Sequence, residues 1–203
     1  MTDTVTRIRV LLAEDDLSAR RTMVELLGAL GHGVVGEAGS GREAIAMAGA
    51  LRPDVVLLDV HMPDGSGIEA AQEITTADPA VAVVLFSGDP SVMLSDSEIT
   101  ATAAIAYLPK PSPPVVLDAT LRMAVTRSRA LLAARAEAVS ARQQLEQRKL
   151  IERAKGILMR RTGTSEAEAY SILRRTSQDR SVPMVDIAKA VLESEPGYNA
   201  NAR

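Results

Sequence analysis

No cysteine and no tryptophan occur among the 203 residues, and the aromatics stop at one phenylalanine and three tyrosines. Without cysteine, neither a disulfide framework nor thiolate metal ligation can organise the chain, which suits a reducing compartment. So few aromatic side chains cannot line a groove for stacked single-stranded bases, which argues against binding through aromatic platforms. Long apolar runs are missing too. No window approaches the ~18–20 apolar residues a bilayer span needs, and Met1 to Arg9 lacks a continuous apolar core. A soluble, unexported, cytoplasmic protein is the expectation.

At this length two small domains are expected, since domains of ~100–150 residues bury a core of their own. The formal net charge of −3 hides an asymmetry. Residues 1–114 carry 7 Lys and Arg against 16 Asp and Glu, whereas residues 115–203 carry 16 against 10. An acidic half suited to a cation is therefore joined to a basic half suited to a polyanion.

The acidic half alternates strands and helices. Ile8 to Ala13 is a short apolar run that ends in Glu14-Asp15-Asp16, as a buried parallel strand does when its carboxyl end opens on a site. Met23, Leu26, Leu27 and Leu30 form one helical stripe that stops at Gly31. Val34 to Gly36 is a strand, and Ser40 with Glu43 has the form of a capping box opening a helix to Leu51. Asp54 to Asp59 is the most apolar strand, Met62 to Gly65 a turn, and Val81 to Phe86 and Ala104 to Leu108 complete five strands. Pro90 to Thr102 has poor apolar periodicity, so the helix expected there is short or displaced. Five strands with helical crossovers predict a doubly wound parallel sheet, whose ligands bind at strand carboxyl ends where the strand order reverses.

Glu14, Asp15, Asp59, Ser87 and Lys110 all fall at or just past such ends. Crowded carboxylates repel unless a cation joins them, and hard oxygen ligands suit Mg²⁺. A carboxylate can attack phosphorus, while an ammonium and a hydroxyl can hold the transferred oxygens. The same groups serve hydrolases, which leaves a phosphatase as an alternative.

The blocks Leu11-Leu12-Ala13-Glu14-Asp15-Asp16, Asp54 to Gly67, Leu85-Phe86-Ser87-Gly88 and Tyr107-Leu108-Pro109-Lys110-Pro111 resemble the signatures of two-component receiver domains. The resemblance implies a flavodoxin-like α/β fold, phosphorylation of Asp59 by a sensor histidine kinase, and Mg²⁺ held by Glu14, Asp15, Asp59 and the His61 backbone carbonyl. It further implies that Ser87 and Lys110 hold the phosphoryl group and that Tyr107 turns inward when Ser87 is drawn to it. The His61 side chain is expected to face solvent. Pro109, and Ala103 where many receivers carry glycine, bear on how the lysine is aimed.

Ser112-Pro113 reads as the start of a helix that runs without proline to about Arg161. At up to ~45 residues and ~70 Å it is too long to pack on the first domain alone. Leu117, Leu121, Ala124, Leu131, Ala138 and Leu145 follow a heptad-like track interrupted by Ser128, Arg135 and Arg142. This arm is either a dimerising coiled coil or a solvated linker. Ser165 with Glu168 opens a second helix with Ala169, Ile172, Leu173 and Thr176 as its buried stripe, and Met184 to Glu193 forms a third. Three short helices with a cationic flank suit DNA, RNA or an acidic protein, and electrostatics does not choose among them.

Leu145-x-x-Arg148 through Met159 with its Arg153-Ala154-Lys155-Gly156 core, Ser165 to Arg174, and Asp186-Ile187-Ala188 are similar to the ANTAR family of transcription antiterminators. The resemblance implies binding of paired RNA stem-loops in nascent transcripts; a homodimer formed on phosphorylation is the expected binding form, and Arg153, Lys155, Arg160, Tyr170 and Arg174 are the candidate RNA face. The expected division is a receiver over residues 1–112, a helical arm over 113–145, a small three-helix all-α domain over 146–195 and a disordered tail over 196–203. A DNA-binding regulator and a phospho-switched protein-interaction module remain the alternatives.

Overall fold

The computed structural model describes residues 7–63, 65–88 and 106–195. The chain divides into two compact units, residues 1–134 and 135–203. The stretch 90–102, for which a short or displaced helix is expected, and the tail 196–203 lie outside the described residues.

The first unit is an α/β sheet sandwich. Strands β1 (Arg9–Ala13), β2 (Gly33–Ala38), β3 (Val55–Asp59), β6 (Ala82–Ser87) and β7 (Ala106–Pro109) form one parallel sheet in the order β2-β1-β3-β6-β7. The order reverses between β1 and β3, which places the expected crevice at their carboxyl ends. Strands β1, β3 and β6 are inside the sheet, and β3 and β6 are buried along their whole length. That is why they read as continuous apolar runs and not as alternating ones. A two-residue hairpin, β4 (His61–Met62) with β5 (Gly65–Ser66), follows β3 where the sequence signals only a turn.

Helices α1 (Leu17–Ala29), α2 (Gly41–Leu51) and α3 (Gly67–Ala77) cover the sheet. One core layer joins Leu11, Val56, Leu58, Val83 and Leu85 to Ala44, Ala48, Ala70 and Ile74; the other joins Val10, Leu12, Val55, Leu57 and Val84 to Leu27. Of the stripe on α1 only Leu27 is fully buried, with Met23, Leu26 and Leu30 partly covered. Gly31 ends the helix at φ +83°, and the His32 N–H donates to the Leu27 carbonyl in a Schellman-type closure. Ser40 caps α2 by accepting from the Glu43 N–H, but the Glu43 carboxylate accepts from Gly39, so the box closes one residue early.

Helix α4 (Pro114–Thr162) begins one residue later than Ser112-Pro113 suggested: the Pro113 carbonyl accepts the first helical bonds, and Ser112 Oγ donates to the Pro109 carbonyl. Leu117, Leu121, Ala124 and Val125 are buried in the second core layer of the first unit. The heptad-like track is therefore split. Its first three members pack on the sheet and are not free for a coiled coil, while Leu131 and Leu145 are exposed. Past Val125, Ser128 Oγ donates to the Pro79 and Ala80 carbonyls, and Arg129 pairs with Asp54 at 2.8 Å.

The second unit holds the rest of α4 with α5 (Glu166–Arg180) and α6 (Met184–Glu193). Ala154, Ile157, Leu173, Ile187, Ala188 and Leu192 form its core. The stripe expected on α5 needs correction. Ala169 and Leu173 are buried, but Ile172 is 40% exposed, because the helix faces its neighbours along a narrower seam than the spacing suggested. Ser165 and Glu168 make a complete capping box.

Candidate functional site

The acidic run after β1 separates into three roles by geometry. Asp16 is the N-cap of α1, its carboxylate accepting from the Ser18 and Ala19 N–H groups at 2.8 and 2.7 Å. Glu14 is buried and Asp15 is exposed. Together with Asp59 they place carboxylate oxygens within 4.8 Å of one another at the reversal in strand order.

Asp59 closes β3 and is 8% exposed. One of its oxygens accepts from the His61 N–H at 3.1 Å, and the other from Lys110 Nζ at 2.7 Å. Lys110 Nζ also meets the Glu14 carboxylate and lies 5.0 Å from the centre of the Phe86 ring. The lysine backbone is set by its N–H donating to the Ser87 carbonyl at 2.7 Å, just past β7, and its bond to Pro111 is cis.

Electrostatics follows from this crowding. Burial pushes the Glu14 carboxyl above its ordinary range, Lys110 pulls it back, and Asp59 adds repulsion. Burial pulls the Lys110 ammonium down, but its bonds to Asp59 and Glu14 outweigh that and leave it raised. Without the ammonium, the cluster would hold buried negative charge and no counter-charge.

Ser87 ends β6 almost fully buried, and its Oγ lies 3.5 Å from His61 Nδ1. The His61 side chain is exposed, as expected, yet it leans over the serine and not away from it. Tyr107 is half-buried and packs on the core layer that contains Leu85. Gly67 is a position the sequence did not single out. Its N–H donates to the Val60 carbonyl at 2.9 Å, and a Cβ there would overlap the Asp59 carbonyl oxygen. A glycine eight residues past the strand-end carboxylate was the available signal. The five strand-end residues Glu14, Asp15, Asp59, Ser87 and Lys110 thus converge on one edge, with Tyr107 two strand positions short of it.

In the second unit the named residues do not form one cluster. Arg153 and Arg174 are exposed, and Tyr170 is 44% exposed one helical turn from Arg174, so these two share a stripe on α5. Arg160 is exposed and 3.8 Å from Glu195. Lys155 is 7% exposed and paired with Glu152 and Glu166, which removes it from the cationic surface the sequence suggested. No helix among the described residues is long and apolar enough to cross a membrane.

A doubly wound sheet with an acid cluster and a lysine at its strand-order reversal is the architecture of a receiver. Residues 10–122 match the response regulator receiver domain family, and residues 140–192 match the ANTAR domain family. The chain is 38% identical over 186 residues to the transcriptional regulatory protein PdtaR of Mycobacterium tuberculosis, covering 92% of this chain and 90% of that protein. Among solved structures, the receiver domain of Thermotoga maritima CheB is 26% identical at a TM-score of 0.53, covering 59% of this chain and 97% of that one. The receiver domain of a LuxO-type repressor from Vibrio parahaemolyticus is 25% identical at 0.55, covering 63% and 97%. The chain belongs to the response regulators that carry an N-terminal receiver domain and a C-terminal ANTAR domain, and its role is regulatory.

Proposed function

We propose that this protein is a phosphorylation-dependent antiterminator: Asp59 accepts a phosphoryl group from a sensor histidine kinase, and the ANTAR module then binds paired stem-loops in nascent RNA. The observation that carries the receiver half is the bridging of Glu14 and Asp59 by Lys110 at the strand-order reversal. A carboxylate oxygen of Asp59 attacks the phosphorus of a phosphohistidine, the P–N bond breaks, and the imidazole leaves. Lys110, already on that carboxylate, is placed to follow the charge onto a phosphoryl oxygen, and Ser87 Oγ is the neighbouring donor.

The oxygen-only set of Glu14, Asp15 and Asp59 within 4.8 Å, with Asp15 open to solvent, fits Mg²⁺, and the His61 carbonyl would complete the protein ligands. Such an ion supplies charge neutralisation for the incoming phosphoryl oxygens. Tyr107, half-buried beside this edge, is the residue that reports movement of Ser87 to the outer surface.

In the ANTAR half, exposed Arg153, Arg160, Arg174 and Tyr170 are the candidate RNA contacts. Duplex RNA hides its base edges, so loop bases and phosphates are the features such groups can reach. Two chains pairing after phosphorylation would present two modules to two stem-loops and gain effective concentration. Burial of Leu117 to Val125 moves the receiver boundary we propose from residue 112 to about Arg129, with the arm following it to residue 145 and the ANTAR module over 146–195.

The test is binding of the purified chain to a labelled RNA with two tandem stem-loops, against duplex DNA, with and without beryllofluoride and Mg²⁺, across a salt series. Tighter RNA binding with the phosphoryl mimic, lost in Asp59→Ala, is the expected result. A preference for duplex DNA, or no change with the mimic, would overturn it.

A further inference from the structure

The cations at the end of α4 read from sequence as part of a cationic flank, but the structure commits several of them elsewhere. Lys149 pairs with Glu146 at 2.8 Å, one turn away. Arg161 donates to the Ser194 hydroxyl and carbonyl at 2.9 and 3.1 Å and lies 3.6 Å from Glu195, which ties the end of α4 to the end of α6. Lys155 goes furthest. Its Nζ lies 2.8 Å from Glu152 on its own helix and 2.7 Å from Glu166, the first residue of α5.

An ammonium has three donors, and two of these are directed at carboxylates. Its side chain is 9% exposed while those of Glu152 and Glu166 are 52% and 68% exposed, so a phosphate approaching Lys155 would meet the two acids first. The neighbouring Ala154 is fully buried in the core that contains Leu173 of α5. Between Lys155 and Glu166 the chain reverses through Gly163 at φ +68°. Lys155 is thus a cross-link over that reversal, and Glu166 is also an acid in the first turn of α5, where the helix dipole favours it. On α5, by contrast, Arg174, Arg175 and Arg180 are exposed, and no ion pair engages them among the described residues.

We infer that Lys155 is a positioning residue and not a phosphate contact: held by Glu152 and Glu166, it sets the start of α5 against α4 so that the exposed cations of α5 meet the RNA. This rests on the RNA-binding reading above, and it reverses the RNA-contact role expected for Lys155 from the sequence.

The test uses the full-length chain with Lys155→Gln, Lys155→Arg, Glu166→Gln, the Lys155→Gln/Glu166→Gln double variant and Arg174→Gln. Melting temperature is one readout, and affinity for the labelled tandem stem-loop RNA across a salt series is the other. Removing Glu166 adds one unit of positive charge to the module, so simple electrostatics would tighten RNA binding. The expectation is the opposite, a weaker Glu166→Gln complex. Lys155→Gln should be weakened with the slope of log affinity against log salt unchanged, Lys155→Arg should recover binding, and Arg174→Gln should lower the slope by about 1. The double variant should melt no lower than the worse single one, since one cross-link is lost in all three. A Lys155→Gln slope lowered by about 1, together with a tighter Glu166→Gln complex, would overturn the inference. If the parent chain binds no RNA, the RNA reading fails, while additive losses in the melting cycle would still refute the cross-link and non-additive ones uphold it.

Discussion

Replacing Lys110 by methionine isolates what its ammonium does for the acid cluster. The change keeps an unbranched apolar side chain and removes the ammonium that lies between Glu14 and Asp59 and over the Phe86 ring. At their widest the cluster oxygens are 4.8 Å apart, and two unit charges at that distance repel by about 3.5 kcal/mol at an effective dielectric of 20. Asp15 is exposed and screened, so the pair Glu14 and Asp59 dominates. Relief from burying the ammonium itself offsets part of this, which leaves a net loss of about 2–3 kcal/mol at pH 7, or roughly 10 °C in melting temperature. The pH dependence has a definite sign. Glu14 already has a raised folded pKa, and losing Lys110 raises it further, so the folded state takes up a proton more readily than the unfolded one. The deficit of Lys110→Met should therefore shrink as pH falls from 7 toward 4.5, where the unfolded carboxyl also becomes protonated. Millimolar Mg²⁺ at pH 7 should restore it as well. Thermal melts of parent and variant at pH 7 and pH 5, with and without Mg²⁺, measure all of this. A variant as stable as the parent at pH 7 without Mg²⁺, or a deficit unmoved by acid and by Mg²⁺, would refute the role assigned to the ammonium.

His32 is buried with Nε2 3.0 Å from Asp118 Oδ1, outside hydrogen-bond geometry, and burial lowers its pKa below 6.5 against the pull of Asp118. Stability should be unaffected above pH 6.5 and should fall as pH drops from there through the lower folded value, since only the unfolded chain takes up the proton at first; melts of the parent and His32→Gln should show that loss in the parent alone. Gly67→Ala drives a methyl into the Asp59 carbonyl, which backbone movement alone can relieve, at a cost of about 1–3 kcal/mol. Urea denaturation checks the cost, and beryllofluoride binding, expected to be lost, checks the displacement of Asp59. Leu173→Ala empties the centre of the second unit and should cost about 2–5 kcal/mol, seen as lost amide protection around residues 150–192 with the sheet of the first unit still protected.

Most of the receiver was legible because its signals are local and redundant. Buried strands of β-branched and leucine residues, each closed by a polar residue, state both the sheet and its functional edge, and Met184–Glu193 was bounded correctly by Pro183 and its own periodicity. What escaped was set by partners distant in sequence. Nothing near Lys155 announces that Glu166 will meet it across a turn, so it was counted with the exposed cations of the same helix. The heptad-like track misled for a similar reason: one spacing serves a helix on a sheet and a helix on a helix, and only the sheet's apolar face decided for Leu117, Leu121 and Ala124. The hairpin after Asp59 is made of two-residue strands, too short for any periodicity to register.

The sheet's two margins bear on how this protein behaves at high concentration. β7 is an edge strand that ends in Pro109, and Pro111 follows two residues later, so neither position presents an N–H to an approaching chain. The opposite edge, β2, has glycine at positions 33 and 36 and an irregular register against β1 between Val10 and Leu11, which spoils it as a flat template. A foreign strand finds no clean ladder to extend on either side. Association through the sheet is thereby discouraged at both margins, which guards the receiver against edge-to-edge, fibrous aggregation.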